Sequence, residues 1–364
     1  MIIKDITDCL EAFAPLSYQE DYDNAGLLIG DQLRTVEKAL FTLDITDAVL
    51  DEAIRKQCTL VISHHPMIFH GLKKLTGHDL VQRLVIKAVK NDIAIYAMHT
   101  NLDNSVNGLN KFICDKLGLT NCTLLSPAKG KLSKLVTFCP EKFAVKVRMA
   151  LFDAGAGHIG EYDRCSYNVS GQGTFRASEN ARPFVGGKNL MHVEEEVRIE
   201  VIFPSSIEQK LVASLKKSHP YEEVAFDIYP LSNYSPDAGS GMTGELAEEM
   251  KLSDFCVAVK ALLNIPVLRQ NAVPDRIVRK IAICTGSGGF LIPDAIRAGA
   301  DVYLTSDLKY HDFFSAMDSL ILADIGHYES ERFAKDLMVD ILIRKFPNFA
   351  FLISEINTNP IKYF

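Results

Sequence analysis

The sequence predicts an α/β fold, in which a split α/β domain with a mainly parallel sheet carries an inserted ferredoxin-like α+β domain. Strand-like and helix-like segments alternate over residues 1–129 and again over 237–364, whereas residues 130–236 follow a different order. Alternating strands and helices form mainly parallel sheets with helices on both faces. A chain of 364 residues also exceeds the length of one typical domain. We therefore predict one α/β domain in two halves, with the second domain inserted between them.

Each half of the α/β domain is predicted from the spacing of its apolar residues. Residues 2–14 have apolar side chains at helical intervals. The strands predicted after this helix are KALFTLDIT, TLVISHHP and IAIYAMHTN, with the helices AVLDEAIRKQ and HDLVQRLVIKAVKND between them. The second half is predicted to contain a strand and a Gly-rich turn in IVRKIAICTGSGG, and the strands DVYLTSD and SLILADIG. Its predicted helices are FCVAVKALLN, FLIPDAIRAG and ESERFAKDLMVDILIRKF.

The inserted domain is predicted to have the element order βαββαβ, which is typical of ferredoxin-like units. Its predicted strands are LSKLVTFCP, CSYNVSGQGTFRA, EEEVRIEVIFP and VAFDIYP, and its predicted helices are EKFAVKVRMALFDAG and SIEQKLVASLKKS. The segment SENARPFVGGKNLMH is predicted to be a long polar loop. The Gly/Ser-rich stretch SNYSPDAGSGMTG is predicted to be a hinge that returns the chain to the first domain.

The composition argues against several classes of protein. Apolar residues make up 48% of the chain, but none of its apolar runs approaches the ~18 residues of a membrane span. The first residues, MIIKDITDCLEAF, carry acids where a signal peptide has a basic and then an apolar run, so we expect a cytoplasmic protein without a membrane partner. The formal net charge of −7 gives no electrostatic basis for binding nucleic acid. The eight cysteines form no C-x-x-C pair and are expected to be reduced.

Histidines and acids stand where four predicted strands end. His64 and His65 follow TLVIS, and His99 follows IAIYAM with Asp103 four residues later. Two further pairs follow the last two strands, Asp307 with His311 and His327 with Glu331. The carboxyl ends of parallel strands lie along one edge of a sheet, which is where open α/β folds bind ligands. We therefore expect these side chains to converge.

The residue types and local spacings are those of a metal site. His327 and Glu331 lie four residues apart at a predicted helix start, so both can project from one face. Pro66 favours an extended backbone at His65, and adjacent side chains on extended backbone diverge toward two ions more readily than they chelate one. Imidazole nitrogen with carboxylate oxygen suits zinc, manganese, iron or nickel. The sequence thus predicts a site for a pair of divalent ions, with the ligands His64, His65, Asp103, His327 and Glu331.

For other residues near these strand ends, the sequence is compatible with more than one role. His99, Asp307 and His311 are candidates for proton transfer or for orienting the ligands, and a direct role as metal ligands stays open for each. Asp23, with Asn24, either forms a turn or lines the metal cleft. The loop TGSGG (285–289) is either a tight turn or a phosphate cradle at a helix start. For His219, at a predicted helix end, we expect a C-terminal charge or a packing role rather than a second metal site.

These motifs resemble those of a known family, the Nif-three-like proteins, which bear the name GTP cyclohydrolase type-two homologues. The resemblance extends over nearly the whole chain through DNAGLLIG, LDIT, SHHP, HTNLD, HPYEEVAFDIYPL, GADVYLTSDLKYHD and GHYESE, and the insert motifs GAGHIGEYDRCSY and GQGTF are similar to those of its long members. It implies a dinuclear site at the five positions named above. It also implies an inserted domain similar to the PII and CutA regulators, and a homohexameric ring, a trimer of dimers.

Two functions are compatible with these expectations. In the first, the protein is a metal-dependent hydrolase, in which divalent ions, most readily zinc, acidify water and polarise a carbonyl or phosphoryl oxygen. The resemblance implies a nucleotide-like substrate such as GTP or a phosphoester for this activity. In the second, the protein is a non-catalytic scaffold that holds, delivers or senses metal. An enzyme keeps an open coordination position, whereas a scaffold closes it.

Overall fold

The structure, a computed structural model, describes residues 1–271, 276–317 and 319–363. Contacts between Cα atoms divide the chain into two compact units, the first formed by Met1–Pro127 with Asp237–Phe364 and the second by Ala128–Pro236. The first unit is therefore built from both ends of the chain. Within the described residues, no helix has the length and apolar character that crossing a membrane requires.

The strands and helices follow one another in the following order. The strands are β1 Gly26–Ile29, β2 Lys38–Thr42, β3 Leu60–Ser63, β4 Ala94–Ala97, β5 Thr120–Lys129, β6 Leu132–Pro140, β7 Tyr167–Arg176, β8 Met191–Pro204, β9 Phe226–Pro230, β10 Tyr234–Lys251, β11 Arg269–Gln270, β12 Ile277–Ser287, β13 Val302–Ser306, β14 Ile321–Asp324 and β15 Ala350–Ile353. The helices are α1 Ile3–Phe13, α2 Asp47–Lys56, α3 Leu80–Lys90, α4 Thr100–Asp103, α5 Leu109–Lys116, α6 Glu141–Asp153, α7 Glu208–Ser218, α8 Leu252–Leu263, α9 Ile292–Arg297, α10 Asp312–Ser315, α11 His327–Glu331 and α12 Ala334–Lys345. Short 3₁₀ turns cover Leu16–Tyr18, Ser205–Ile207 and Gly289–Leu291.

The first unit contains two sheets, whereas the sequence predicted one mainly parallel sheet. In the five-stranded sheet, in the order β1-β4-β3-β2-β15, all neighbours are parallel except the pair β1 and β4. In the six-stranded sheet, in the order β11-β14-β13-β12-β10-β5, the strands β12, β13 and β14 are parallel, and β10 and β11 are antiparallel to their neighbours β12 and β14. The apolar pattern of a strand shows which faces are buried but not which sheet it joins, so the prediction was wrong here.

Alternating residues of each parallel strand contribute to different cores, as the two-residue period of a strand requires. Phe41 of β2 and Leu304 of β13 belong to one apolar cluster shared by both sheets and by the helices α1, α5, α8 and α12. Leu40 faces a second cluster with α2 and α3, and Tyr303 a third with α9. Both sheets are thus covered on two faces, which leaves the strand ends as the accessible part.

The second unit has one antiparallel sheet in the order β7-β8-β6-β9. Its helices α6 and α7 pack on this sheet through an apolar cluster that includes Val147, Leu151, Leu211 and Leu215. The chain order is β6, α6, β7, β8, α7, β9, which is the βαββαβ order of the sequence prediction.

Two local predictions were wrong. The stretch SNYSPDAGSGMTG is not a hinge, because all of it except its first two residues belongs to the long strand β10. Its glycines allow close packing instead, since a Cβ on Gly239 would meet the backbone of Ser126 and Pro127. The helix predicted over ESERFAKDLMVDILIRKF is interrupted, and its residues divide between α11 and α12.

Candidate metal centre

The strand ends of the two sheets bring the predicted ligands together. His64 and His65 directly follow β3, Asp103 ends α4 just after β4, and His327 and Glu331 begin and end α11 after β14. Their ligand atoms form overlapping groups in which all atoms lie within 4.8 Å of one another. These groups are His64 with Asp103 and Glu331, His65 with His327 and Glu331, and His64 with His65 and His99.

The carboxylate of Glu331 lies between two sets of histidines. Its Oε2 atom accepts hydrogen bonds from Nε2 of His65 at 2.9 Å and from Nε2 of His327 at 3.0 Å. Its other oxygen, Oε1, is 3.9 Å from Nε2 of His64. The side chain is almost completely buried. One carboxylate therefore presents one oxygen to each of two groups of potential ligands.

His64 and Asp103 face each other without a hydrogen bond. The Nδ1–H group of His64 donates to the carbonyl of Met98 at 2.9 Å, so that Nε2 carries the lone pair of the neutral ring. This Nε2 atom lies 3.7 Å from Oδ1 of Asp103. Among the described residues, both atoms belong to the few buried side-chain polar atoms with no hydrogen-bond partner. Burying such acceptors unpaired is costly, and a cation between them would remove that cost.

Each histidine of the centre is oriented through its Nδ1 atom. Asp44 lies 2.7 Å from Nδ1 of His65, Asp307 lies 2.7 Å from Nδ1 of His327, and Asp23 lies 2.7 Å from Nδ1 of His99. A carboxylate on Nδ1 fixes the tautomer and directs Nε2 toward a metal, as in carboxylate–histidine–metal arrangements. The donor set and its orientation therefore fit divalent metal ions.

The protonation of the centre reflects burial and close charges. Burial lowers the pKa of His64. Burial opposes the charged form of His65 and His327 too, but hydrogen bonds with Asp44 and Glu331 raise the pKa of His65 to about 10. Those with Glu331 and Asp307 raise the pKa of His327 to about 9. In the metal-free protein, His65 and His327 are therefore protonated, and their positive charges balance the carboxylates that would otherwise bind metal ions.

The carboxylates of the centre shift in opposite directions. Burial, together with the nearby charge of Glu331, raises the pKa of Asp103. Burial also opposes the charge of Glu331, yet hydrogen bonds from His327 and His65 outweigh it and hold the pKa of Glu331 well below its usual range. For Asp23, hydrogen bonds from His99 and Thr100 likewise outweigh burial and lower the pKa to about 2. The hydrogen bond with His65 likewise outweighs burial and lowers the pKa of Asp44, so negative charge is concentrated on Glu331, Asp23 and Asp44.

The loop TGSGG supports Glu331 and is a tight turn. Gly286 has a φ of +65°, and a Cβ at this position would overlap Oε1 of Glu331. Three amides of the loop are already engaged, because Thr285 N–H donates to Asn110, Gly286 N–H to Ser330 and Gly288 N–H to Thr305. The prediction of a turn therefore describes this loop better than a phosphate cradle.

The residues with open roles take different positions. Asp307 contacts His327, and His99 and Asp23 contact each other beside the centre. His311 is exposed, and the ring contacts described for it are with Tyr310 and Phe314 of its own segment. His219 has a packing role, since its Nε2–H donates to the carbonyl of Phe138 and its Nδ1 accepts from the amide of Tyr221.

One residue of the centre was missed from the sequence. Asp44 follows β2, and its second oxygen accepts a hydrogen bond from Thr358 at 2.6 Å. It stands at a strand end like the other candidates, within the motif LDIT, so the same argument would have found it. It was overlooked because no histidine accompanies it in the sequence.

Comparisons with known proteins show which family the chain belongs to. The family profile described as DUF34/NIF3 (NGG1p interacting factor 3) matches residues 1–360. The GTP cyclohydrolase 1 type 2 homolog of Bacillus subtilis (strain 168) is 38% identical, over 98% of this chain and 97% of its own, and that of Halalkalibacterium halodurans is 37% identical over 98% of each. The crystal structure of a Bacillus cereus protein related to NIF3 superposes with a TM-score of 0.86 at 36% identity and covers 100% of this chain and 99% of its own. This chain belongs to the DUF34/NIF3 family.

Proposed function

We propose that the protein binds two divalent metal ions that share Glu331. His64 and Asp103 with Oε1 of Glu331 would hold one ion, and His65 and His327 with Oε2 would hold the other. The observation that carries this proposal is the division of the two Glu331 oxygens between the two groups, since a carboxylate can bridge ions ~3.5–4 Å apart. Zinc matches the nitrogen and oxygen donors best, and iron, manganese and nickel accept the same donors.

We propose that this centre hydrolyses a small-molecule substrate. Bound ions would supply an acidified water and a Lewis acid for a carbonyl or phosphoryl oxygen. The chain itself would contribute Asp44 and Asp307, which fix His65 and His327, and the exposed Asp307 carboxylate is placed to exchange a proton with solvent. The names of the curated relatives suggest a purine nucleotide such as GTP as the substrate class.

An aromatic edge beside the centre supports a substrate with a flat ring. The exposed ring of Tyr22 lies 6.3 Å from the ring of Phe69, which in turn lies 6.3 Å from the ring of His99. Aromatic rings at such distances offer a stacking surface for a base. A nucleobase resting there would bring the rest of a nucleotide toward the histidines.

The experiment compares metal binding with turnover. Protein reconstituted with zinc, manganese or iron would be assayed against GTP, other nucleotides and phosphoesters, alongside the variants His65→Ala and His78→Ala. His78 is exposed and lies outside the ligand groups, so its variant controls for the loss of an imidazole. We expect metal-dependent turnover that His65→Ala abolishes and His78→Ala leaves unchanged. Tight metal binding with no turnover on this panel would favour the non-catalytic scaffold.

We also propose that the inserted unit is a ferredoxin-like domain of the PII/CutA type. Its βαββαβ order and its sheet order β7-β8-β6-β9 support this assignment.

For the whole chain we propose self-association into a homohexameric ring. An exposed aromatic group on the first unit, formed by Tyr310, His311 and Phe314, supports an interface between copies. Sedimentation velocity of the protein and of Tyr310→Ala tests this assembly.

A further inference from the structure

The second unit contains a groove with a volume of about 760 Å³. Its wall on one side is the segment Gly171–Phe175 of β7, and on the other the segment 221–225 that follows α7. Part of the polar loop between β7 and β8 covers one end, through Pro183 and Phe184. Two sequence motifs that are distant in the chain, GQGTF and HPYEE, therefore meet at one surface feature.

Aromatic rings line this groove. The ring of Tyr221 lies 6.5 Å from that of Phe175 and 6.2 Å from that of Phe184, and Phe138 also borders the cavity. The apolar ring of Phe184 is not buried in the core of the unit, and 46% of the residue is exposed at the groove. Pockets of ~300–1,000 Å³ with aromatic walls and few polar groups are typical of small-molecule sites. The groove has the size of such a site, and its lining combines these rings with charged side chains, among them Arg176, Arg198, Glu222 and Glu223.

A carboxylate is built into the wall. Glu196 of β8 accepts a hydrogen bond from the hydroxyl of Tyr221 at 2.8 Å through Oε1. Its Oε2 atom occupies the space beside Gly173 where a larger residue would place its Cβ. The φ angle of Gly173 does not require glycine. A glycine is needed here because a Cβ would overlap the carboxylate of Glu196. The motif GQGTF therefore makes room for an acceptor within an aromatic wall.

Tyr221 is itself held in a fixed position. His219 joins two backbone segments, because its Nε2–H donates to the carbonyl of Phe138 at 2.9 Å and its Nδ1 accepts from the amide of Tyr221 at 3.1 Å. The rings of His219 and Tyr221 also pack at 5.0 Å. The ring and the carboxylate are thereby oriented before any ligand arrives, which reduces the entropic cost of binding.

We propose that this groove binds a flat heteroaromatic small molecule that carries N–H donors. Its ring lies against Phe175, Phe184 and Tyr221, and its N–H groups donate to Glu196. Stacking supplies affinity for any flat ring, whereas the carboxylate selects rings with donors. This site is separate in sequence and in composition from the candidate metal centre, and it does not depend on the function proposed for that centre.

The test uses two probes of the same shape on the full-length protein. 2-Aminobenzimidazole carries N–H donors on its ring edge, and 1,2-dimethylbenzimidazole has the same ring system without a donor. Binding is measured at a pH above the ring pKa of both probes, so that both are uncharged, by titration calorimetry and by changes in the NMR signals of Phe175 and Tyr221. We expect 2-aminobenzimidazole to bind about tenfold more tightly than the dimethyl compound, as a charge-assisted hydrogen bond provides.

Variants distinguish the two contributions. Glu196→Gln and Gly173→Ala, whose Cβ displaces the carboxylate, should remove the preference for 2-aminobenzimidazole, while Phe175→Ala should weaken both probes about tenfold. Tyr162→Ala, which removes an exposed ring outside the groove, should change neither affinity. The proposal is overturned if neither probe binds the native protein, or if binding is unchanged in Phe175→Ala and Glu196→Gln. Circular dichroism spectra check that each variant is folded.

Discussion

The Nε2 atom of His64 lies 3.7 Å from Oδ1 of Asp103, and neither buried atom has a hydrogen-bond partner. Burying these two polar atoms without a partner destabilises the metal-free protein. The same pair becomes favourable when a cation lies between them, because both atoms are then ligands. A substitution of Asp103 should therefore change the free energy of unfolding in opposite directions with and without metal.

Asp103→Asn tests this reversal. In protein stripped with EDTA, the amide removes a buried carboxylate and can donate toward His64, so we expect the free energy of unfolding to rise by about 1 kcal/mol. With zinc present, the variant should be less stable than the native protein because a charged ligand is lost. Urea unfolding in EDTA and in zinc measures both values. Asp163→Asn, which changes an exposed carboxylate, is the control. A loss of stability in EDTA would contradict the prediction.

The pH dependence of metal binding follows from the protons on His65 and His327. With pKa values of about 10 and 9 in the metal-free protein, both rings are charged at pH 7 and must release their protons when an ion binds. Affinity for the ion should therefore rise with pH between 6 and 8, by roughly a hundredfold per unit if both protons leave together. Calorimetry at pH 7 in buffers of different ionisation enthalpy counts the released protons. A release near zero would refute this account.

Asp44 is predicted to set the affinity of the centre without being a ligand. It holds Nδ1 of His65, so that Asp44→Asn leaves the ring present but weakens its orientation and basicity. We expect metal affinity to fall by about 10–100-fold and the pKa of His65 to fall in the metal-free protein. Zinc competition assays and NMR titration of the ring measure the two effects. Unchanged values for both would show that Asp44 only packs against the ring.

Most of the fold that surrounds the centre could be predicted from the sequence. The strands β3, β4, β13 and β14 are short apolar runs with polar residues at their ends or shortly after them, and such runs indicate both the strand and its buried position. β5 was missed because its sequence TNCTLLSPAK is polar and half-exposed, and it forms through pairing in the sheet rather than through its own pattern. The division into two sheets depends on such long-range pairings and could not be predicted from periodicity.

The metal centre, too, could be predicted from the sequence only in part. The strand-end rule predicted that His64, His65 and Asp103 would lie together, because β3 and β4 are neighbours in one sheet. It did not account for Glu331, which follows β14 of the other sheet. It could not show that Glu331 directs its two oxygens to different histidines, or that His64 and Asp103 lack partners. Those properties depend on side-chain distances of a few ångströms. Likewise, His311 is exposed because of the path that the loop takes before α10. Its spacing from Asp307 in the sequence does not predict that path.

Removal of the inserted unit should leave metal binding intact. The ligands lie on both sides of the insertion in sequence, and its ends are close in space, since a Cβ on Gly239 would meet Pro127. A chain in which a short Gly/Ser linker replaces 128–236 is expected to bind zinc with native stoichiometry. A fragment that ends at 236 lacks His327 and Glu331 and should lose most of the binding. Metal analysis of both purified proteins measures this. A folded deletion variant without metal would contradict the domain assignment.

Gly286 is predicted to be required for the position of Glu331. Gly286→Ala introduces a Cβ at a φ of +65° and also into the space of Oε1 of Glu331. Gly299→Ala is a matched control, because its φ is +68° but its Cβ would meet open space. Both variants should lose about 1 kcal/mol of stability from backbone strain. Only Gly286→Ala should also lose metal affinity, by at least tenfold, because the shared carboxylate must move. Equal metal affinity in the two variants would mean that Glu331 tolerates displacement and does not bridge two ions.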